Sequence, residues 1–412
     1  MARVIREHAE ELAVSLSKEQ NKQIDLAKAE VGYAADYFDY YAGLARVYHG
    51  DIINSDSAYE NIYIHKFALG ISVGICPSNF PLFVMARKLA PALLAGCAVI
   101  VKSSEVTPLT PALLVKYWLL ENDPDIPKGV FSLLSGLGTT VGQALVSSSQ
   151  VDIISMTGSL QTGKKIMRAA AENMTKVSLE LGGKAPAIVC ADADIALAVS
   201  SIVQSRTAYT GQICNSCERV YVQEKIAEAF TQKLVQAMKS VKIGDPNDEC
   251  DCCGLVSLAQ LEKVEAMVNR AVADGAKVLC GGHVIPGPGF KYACTVLVNV
   301  KQGSEIVQEE IFGPVLPVLT FSSLDEAFDL ANDSKYGLTS SLFTTSADIV
   351  ERSKRELLFG ETYVNRESFE AIQGFHAGAR SSGIGGADGR LGLEEYLATH
   401  VVYQRYNESA GN

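Results

Sequence analysis

Three residues whose side chains could together act on a carbonyl stand out in the chain: Cys214, Glu180 and Asn79. Cys214 ends Gly211-Gln-Ile-Cys214 and precedes Arg219-Val-Tyr-Val222, a β-branched and aromatic run that reads as a strand. A thiol in a tight loop before a strand can face a cleft. Most free cysteines are instead small buried hydrophobes, and the local sequence does not separate the two. Glu180 sits in Leu179-Glu-Leu-Gly-Gly-Lys184, at an apolar strand end beside two glycines. Such surroundings disfavour a charged carboxylate, so a raised pKa suited to a general base is expected. Asn79, in the loop after strand 71–75, offers an amide N–H₂ to a developing oxyanion. Nucleophile, base and donor together describe covalent chemistry on a carbonyl.

These residues need a scaffold, and the hydrophobic pattern supplies one. From residue 71 to 171 short apolar strands alternate with helices, and the rhythm resumes after Gly182-Gly183. That pattern predicts an α/β fold with parallel sheets covered on both faces, and the glycine pair is the candidate boundary between two domains. Residues 3–48 read as helix, Pro91 is expected to kink helix 82–95, and residues 374–392 read as a loop of glycines and small residues. Ser135-Gly-Leu-Gly-Thr-Thr-Val-Gly142 and Met156-Thr-Gly-Ser-Leu-Gln-Thr-Gly163 each follow a strand and open a helix. Backbone N–H groups there can bind a pyrophosphate, although neither turn carries the full Gly-x-Gly-x-x-Gly fingerprint. Lys102, ending strand 98–102, and Glu105 beyond it could meet ribose hydroxyls.

Composition narrows the function. With 412 residues, 48% of them hydrophobic, the chain can hold two or three domains. A net charge of -11 argues against a nucleic-acid partner. The N-terminal stretch lacks an apolar signal core, and the longest nearly apolar run, 89–101, falls short of the ~20 residues a membrane span needs. A soluble, cytoplasmic protein is expected. Its ten cysteines show no disulfide framework and read as reduced thiols. Cys250, Cys252 and Cys253, beside Asp245, Asp248 and Asp251, read as a surface loop; no metal is expected.

The residues above also carry a resemblance. Pro77-Ser-Asn-Phe-Pro81, Ala98-Val-Ile-Val-Lys102, Thr157-Gly-Ser159, Leu179-Glu-Leu-Gly-Gly-Lys184, Gly211-Gln-Ile-Cys214 and Glu309-Glu-Ile-Phe-Gly-Pro314 are similar, in this order, to motifs of the NAD(P)-dependent aldehyde dehydrogenase superfamily. Ala86-Arg-Lys88, Cys214-Asn215 and Asn365-Arg-Glu-Ser-Phe-Glu-Ala-Ile-Gln-Gly-Phe-His-Ala-Gly378 resemble the bacterial lactaldehyde/glycolaldehyde subgroup.

The resemblance implies a Rossmann-type cofactor domain (1–57 and 70–182, N-terminally incomplete), a catalytic domain (183–388), and oligomerisation strands (58–69 and 397–407) of a homodimer or homotetramer. It implies Cys214 as nucleophile, Asn79 as oxyanion donor, Glu180 as base for hydrolysis and Lys88 as an aid to proton movement. NAD would be held by Ile75, Lys102, Glu105, Gly138, Gly158, Ser159, Leu181, Glu310 and Phe312, the acid at 105 disfavouring a 2′-phosphate. A small hydroxyaldehyde would meet Arg87, Asn215, Glu370 and His376, unless Arg87 and Lys88 simply lie on a solvated helix face and His376 caps a loop. Where the family carries tryptophan and proline, this chain has Ser78 and Ser103. Two other readings remain open at this level: an acylating relative that passes the thioester to coenzyme A, and a non-catalytic short form.

Overall fold

The computed structural model describes residues 1–121 and 126–406. One sheet has the order Gly383–Ile384, Lys176–Glu180, Ile153–Thr157, Ile71–Ile75, Ala98–Lys102, Phe131–Leu134, parallel throughout except for its first, antiparallel strand. Its interior strands bury Val73, Val99, Val101, Ile153, Ile154 and Leu179, as strands covered on both faces should. Helices Pro81–Ala95, Leu109–Glu121 and Leu160–Ala171 pack against it. The first of these passes through Pro91 as one element and stops only at Gly96, which adopts a left-handed conformation at φ 92°.

The second sheet runs Lys277–Cys280, Thr295–Val298, Val315–Phe321, Cys217–Gln223, Ala185–Val189, Thr339–Phe343, Glu361–Val364, antiparallel only at its first pair. A third, antiparallel sheet joins Asp51–Asn54, Glu60–Ala68 and Leu397–Arg405. It exposes apolar side chains, among them Ile52 at 71% and Tyr403 at 66%. Residue 407, the end of the second expected oligomerisation strand, lies outside the described residues.

Three expectations are corrected. The helical region 3–48 is broken into Ala2–Glu7, Ala9–Gln20 and Ile24–Leu44. Asn21 turns left-handed at φ 52°, and the Gln23 side chain caps the next helix by accepting from the Leu26 N–H at 2.9 Å. The small-residue loop 374–392 holds short strands and the helix Gly389–Glu394; within it Gly383 pairs antiparallel with Glu180. A Cβ at Gly383 would come within 2.4 Å of the Leu179 carbonyl oxygen, so the close pairing requires glycine. Cys252 and Cys253 are not on a surface loop: both are buried, and Cys252 joins the core beneath the second sheet, while Cys250 stays half-buried.

The two parallel sheets meet at Gly182-Gly183, between strands Lys176–Glu180 and Ala185–Val189. A Cβ at Gly183 would lie 2.5 Å from the Cys214 carbonyl oxygen, a backbone contact that nothing flexible can relieve. Gly183→Ala is therefore expected to cost about 1–3 kcal/mol, read as a lower thermal midpoint, with hydrogen exchange accelerated in the loop around Cys214. Unchanged exchange there would refute the close approach.

Candidate active site

Two cavities lie at the carboxyl ends of the first sheet's strands and share Pro77, Thr157, Gly158 and Ser159. The larger, about 590 Å³, is lined by Ile75, Lys102, Glu105, Gly138, Gly158 and Ser159. The smaller, about 310 Å³, is lined by Leu181, Glu310, Phe312, Ser78, Asn79 and Cys214. Every residue assigned to cofactor binding from sequence thus lines one cavity or the other.

The donor set fits a dinucleotide. Ser159 caps helix Leu160–Ala171 by accepting from the Thr162 N–H, and Ser159 and Thr162 of this helix start line the larger cavity. Lys102 Nζ lies 3.2 Å from Glu105 Oε2 and donates to the Ser103 carbonyl at 2.8 Å. Burial, reinforced by the nearby Glu218 charge, raises the Glu310 carboxyl to about 7, while its Oε1 accepts from the Gly183 N–H at 3.0 Å. Ser103 is buried and shares a 3.0 Å hydrogen bond with the Ser135 hydroxyl, so the strand end is pinned without the family's proline.

Cys214 is half-buried in a loop held at both ends. The buried guanidinium of Arg206 donates to the Gly211 carbonyl before it and, at 2.9 Å, to the Cys217 carbonyl after it. Tyr209 and Thr210 take left-handed φ values of 44° and 55°, unusual for a bulky and a β-branched residue. The Thr210 hydroxyl donates to the Cys253 carbonyl at 2.9 Å, and the Gln212 side chain accepts from the Val256 N–H at 2.9 Å. Asn79 Nδ2 donates to the Gln212 carbonyl at 3.0 Å, which fixes the amide beside this loop with one N–H still available.

Around Arg87 the structure gathers the polar residues nominated for substrate. Neither Arg87 nor Lys88 lies on a solvated face; both are buried. Arg87 donates to Glu370 at 2.7 Å, to Asp388 at 2.8 Å and to the Tyr37 hydroxyl at 3.2 Å, and its guanidinium lies 3.8 Å from Glu180 Oε2. Asn215 Nδ2 donates to the other oxygen of Glu370. His376 is likewise buried rather than capping a surface loop; its Nδ1 lies 3.0 Å from Glu361 Oε1, and the ring neighbours the Cys214 side chain. Among the described residues Arg87 Nε and Asn215 Oδ1 are buried without a hydrogen-bond partner, and neither residue lines either cavity.

Glu180 reverses an expectation. Burial does push its carboxyl up, but Lys88, Arg87 and His376, with the Thr157 hydroxyl donating at 2.8 Å, outweigh it and hold the group below the usual carboxylate range. An apolar strand end gave no hint of three cations arriving from other segments. Burial in turn lowers Lys88, whose Nζ lies 3.0 Å from the Ser155 hydroxyl, against the Glu180 charge. Against burial, His376 and Arg87 bring Glu370 down to about 2. His376, despite burial, is held well above its ordinary value by Glu370, Cys214 and Glu361.

Sequence reasoning missed several contributors. Asp388, pushed up to about 6 by burial against the pull of Arg87, sits in the small-residue segment read as a loop. Tyr37 lies far from any motif, and Glu361 falls just ahead of the Asn365–Gly378 run, outside it. Glu218 accepts from the backbone N–H groups of Ile311 at 2.8 Å and Phe312 at 2.9 Å, and pairs with Lys184 and Arg206, so it sets the loop that carries Glu310. The Lys184 of the Leu-Glu-Leu-Gly-Gly-Lys run was the one available signal for it.

Because Lys88 is the largest charge holding Glu180 down, Lys88→Met should move the Glu180 titration to higher pH. The carboxyl stretch that Glu180→Gln removes from infrared difference spectra reports it. Stability from this carboxylate is present above its unfolded pKa and fades as pH falls through the depressed folded one, so the variant should lose it at a higher pH than the parent. An unmoved midpoint would refute the assignment.

Against known proteins, the chain matches the model of the aldehyde dehydrogenase family over residues 1–402. It is 51% identical over 401 residues to lactaldehyde dehydrogenase of Escherichia coli (strain K12), covering 97% of this chain and 83% of that protein. The crystal structure of lactaldehyde dehydrogenase from Escherichia coli superposes with a TM-score of 0.96 at 50% identity, covering 98% of this chain and 85% of that one. Betaine aldehyde dehydrogenase from Staphylococcus aureus in complex with NAD+ superposes at 0.94 and 35% identity, covering 100% and 82%. Matched over nearly its whole length by the family model and by these relatives, the chain belongs to the aldehyde dehydrogenase family.

Proposed function

We propose that the protein oxidises a small hydroxyaldehyde, such as lactaldehyde or glycolaldehyde, to its carboxylic acid with NAD. The observation that carries this reading is the meeting of Cys214 and the Asn79 amide in one cavity with Glu310 and Phe312, joined by the Asn79–Gln212 hydrogen bond. The Cys214 sulfur adds to the aldehyde carbon, and the oxygen that becomes negative is held by the free Asn79 N–H and the Cys214 backbone N–H. Bound NAD would accept the hydride that turns the thiohemiacetal into a thioester. Glu180 takes a proton from water as that water attacks the thioester carbon; the C–S bond then breaks, releasing acid and thiolate. Lys88, buried near Glu180, carries the proton onward.

The unpaired Arg87 Nε and Asn215 Oδ1, backed by Glu370 and His376, favour a substrate with a hydroxyl near its carbonyl over a long apolar aldehyde. We assign residues 1–57 and 70–182 to cofactor binding, 183–388 to catalysis, and 58–69 with 397–407 to oligomer contacts in a cytoplasmic homodimer or homotetramer. The exposed Phe67 and Tyr403, one on each of these strands, support the last assignment.

Cys214→Ala should abolish NADH formation from L-lactaldehyde. Glu180→Gln should give one rapid turnover of NADH per site and then stall on the thioester, visible as a burst in stopped flow. Release of product only in the presence of coenzyme A would overturn hydrolysis as the second step. Glu105→Ser removes the charge facing a 2′-phosphate, so kcat/KM with NADP relative to NAD should rise roughly tenfold or more, about 1.4 kcal/mol; an unchanged ratio would exclude Glu105 as the discriminator.

A further inference from the structure

Lys22 is 0% exposed, although it lies in the short turn between helices Ala9–Gln20 and Ile24–Leu44. Its Nζ lies 2.5 Å from Glu30 Oε2 and donates to the Asn79 carbonyl at 2.7 Å. The other oxygen of Glu30 accepts from the N–H groups of Leu82 at 3.0 Å and Phe83 at 3.2 Å, the opening turn of helix Pro81–Ala95. One ion pair therefore grips the backbone on both sides of the turn that carries Asn79. The ammonium also sits 3.8 Å from the Phe80 ring centre and 4.4 Å from that of Tyr209, which belongs to the approach to Cys214. Gln20 completes the strap: its side chain donates to the Ser78 and Asn79 carbonyls, and its own carbonyl accepts from the Tyr209 hydroxyl at 3.0 Å.

Desolvating both ions is costly, and the hydrogen bonds they make to the Asn79 carbonyl and to the Leu82 and Phe83 N–H groups offset that cost. Lys22 and Glu30 are both fully buried, and neither lines either cavity. What the pair does touch is the backbone of the oxyanion donor and a ring of the nucleophile's loop.

We infer that Lys22, clamped by Glu30, is a positioning residue that aims the Asn79 amide at the oxygen of the Cys214 adduct and keeps the two loops in register. This rests on the role of Asn79 proposed above.

The test uses the full chain and p-nitrophenyl acetate, whose acyl transfer to Cys214 needs nucleophile and oxyanion donor but no dinucleotide. Lys22→Met should slow acylation roughly 10- to 100-fold, the scale of a small misplacement, while the Kd for NAD by calorimetry stays within about twofold. In an Asn79→Ala background, Lys22→Met should cause no further loss, because the group it aims is gone. If Lys22→Met does not fold, the charge-balanced Lys22→Met/Glu30→Gln variant carries the same readouts. Acylation at the parental rate, a loss that multiplies in full with that of Asn79→Ala, or an NAD affinity that falls in parallel would each overturn the inference. Parental acylation by Asn79→Ala alone would instead remove the proposed role of Asn79, and the inference with it.

Discussion

A guanidinium without water must be neutralised where it lies, and the placement of Arg87 imposes that demand on the centre of this protein. It projects from helix Pro81–Ala95, and the carboxylates that answer it come from elsewhere: Glu180 from the first sheet, Glu370 from the segment after the second, Asp388 from the tail that crosses back. Removing one partner would leave the others with an uncompensated buried charge, a loss of several kcal/mol. The same convergence draws three parts of the chain to one point, where, among the described residues, Arg87 Nε and Asn215 Oδ1 have no hydrogen-bond partner. Fold and site therefore share a single electrostatic condition.

That condition also explains the close backbone contacts where the two sheets meet. Glu180 ends a strand of the first sheet, and Gly182-Gly183 carries the chain directly into the second. Bulk at either glycine would strike the Glu310 carboxylate or the Cys214 carbonyl. The nucleophile's loop, the Glu310 loop and the Glu180 strand can thus lie one against another only because side chains are absent between them. Buried ions then lock what the glycines permit: Arg206 closes the Cys214 loop, and Glu218 fixes the backbone of Ile311 and Phe312.

Local pattern made part of this legible. Period and apolar runs located the strands of both parallel sheets, because strands buried on both faces leave a continuous signal. Residue chemistry singled out Cys214, Glu180, Asn79, Lys102, Glu105 and the two glycine turns, since strand ends and glycine turns have their own sequence signatures; Glu310 and Phe312 came from the family resemblance alone. What stayed hidden was long-range. Asn21 breaks a helical run by a left-handed turn that composition does not announce, and the Gly383–Glu180 pairing joins residues with no shared motif. The sign of the Glu180 shift failed for the same reason. Its neighbours in sequence are apolar, whereas its neighbours in space are Lys88, Arg87 and His376.

The depressed pKa of Glu180 bears directly on the chemistry proposed for it. A carboxylate held by cations is charged at neutral pH but weakly basic, a poor state for taking a proton from water. Those cations lie on the side of Glu180 facing helix Pro81–Ala95 and the His376 segment, and the Thr157 hydroxyl holds the same oxygen that faces Arg87. Turning away from them toward the thioester would remove the charges that depress the pKa while leaving the desolvation that raises it. Position and basicity are then coupled in one rotation.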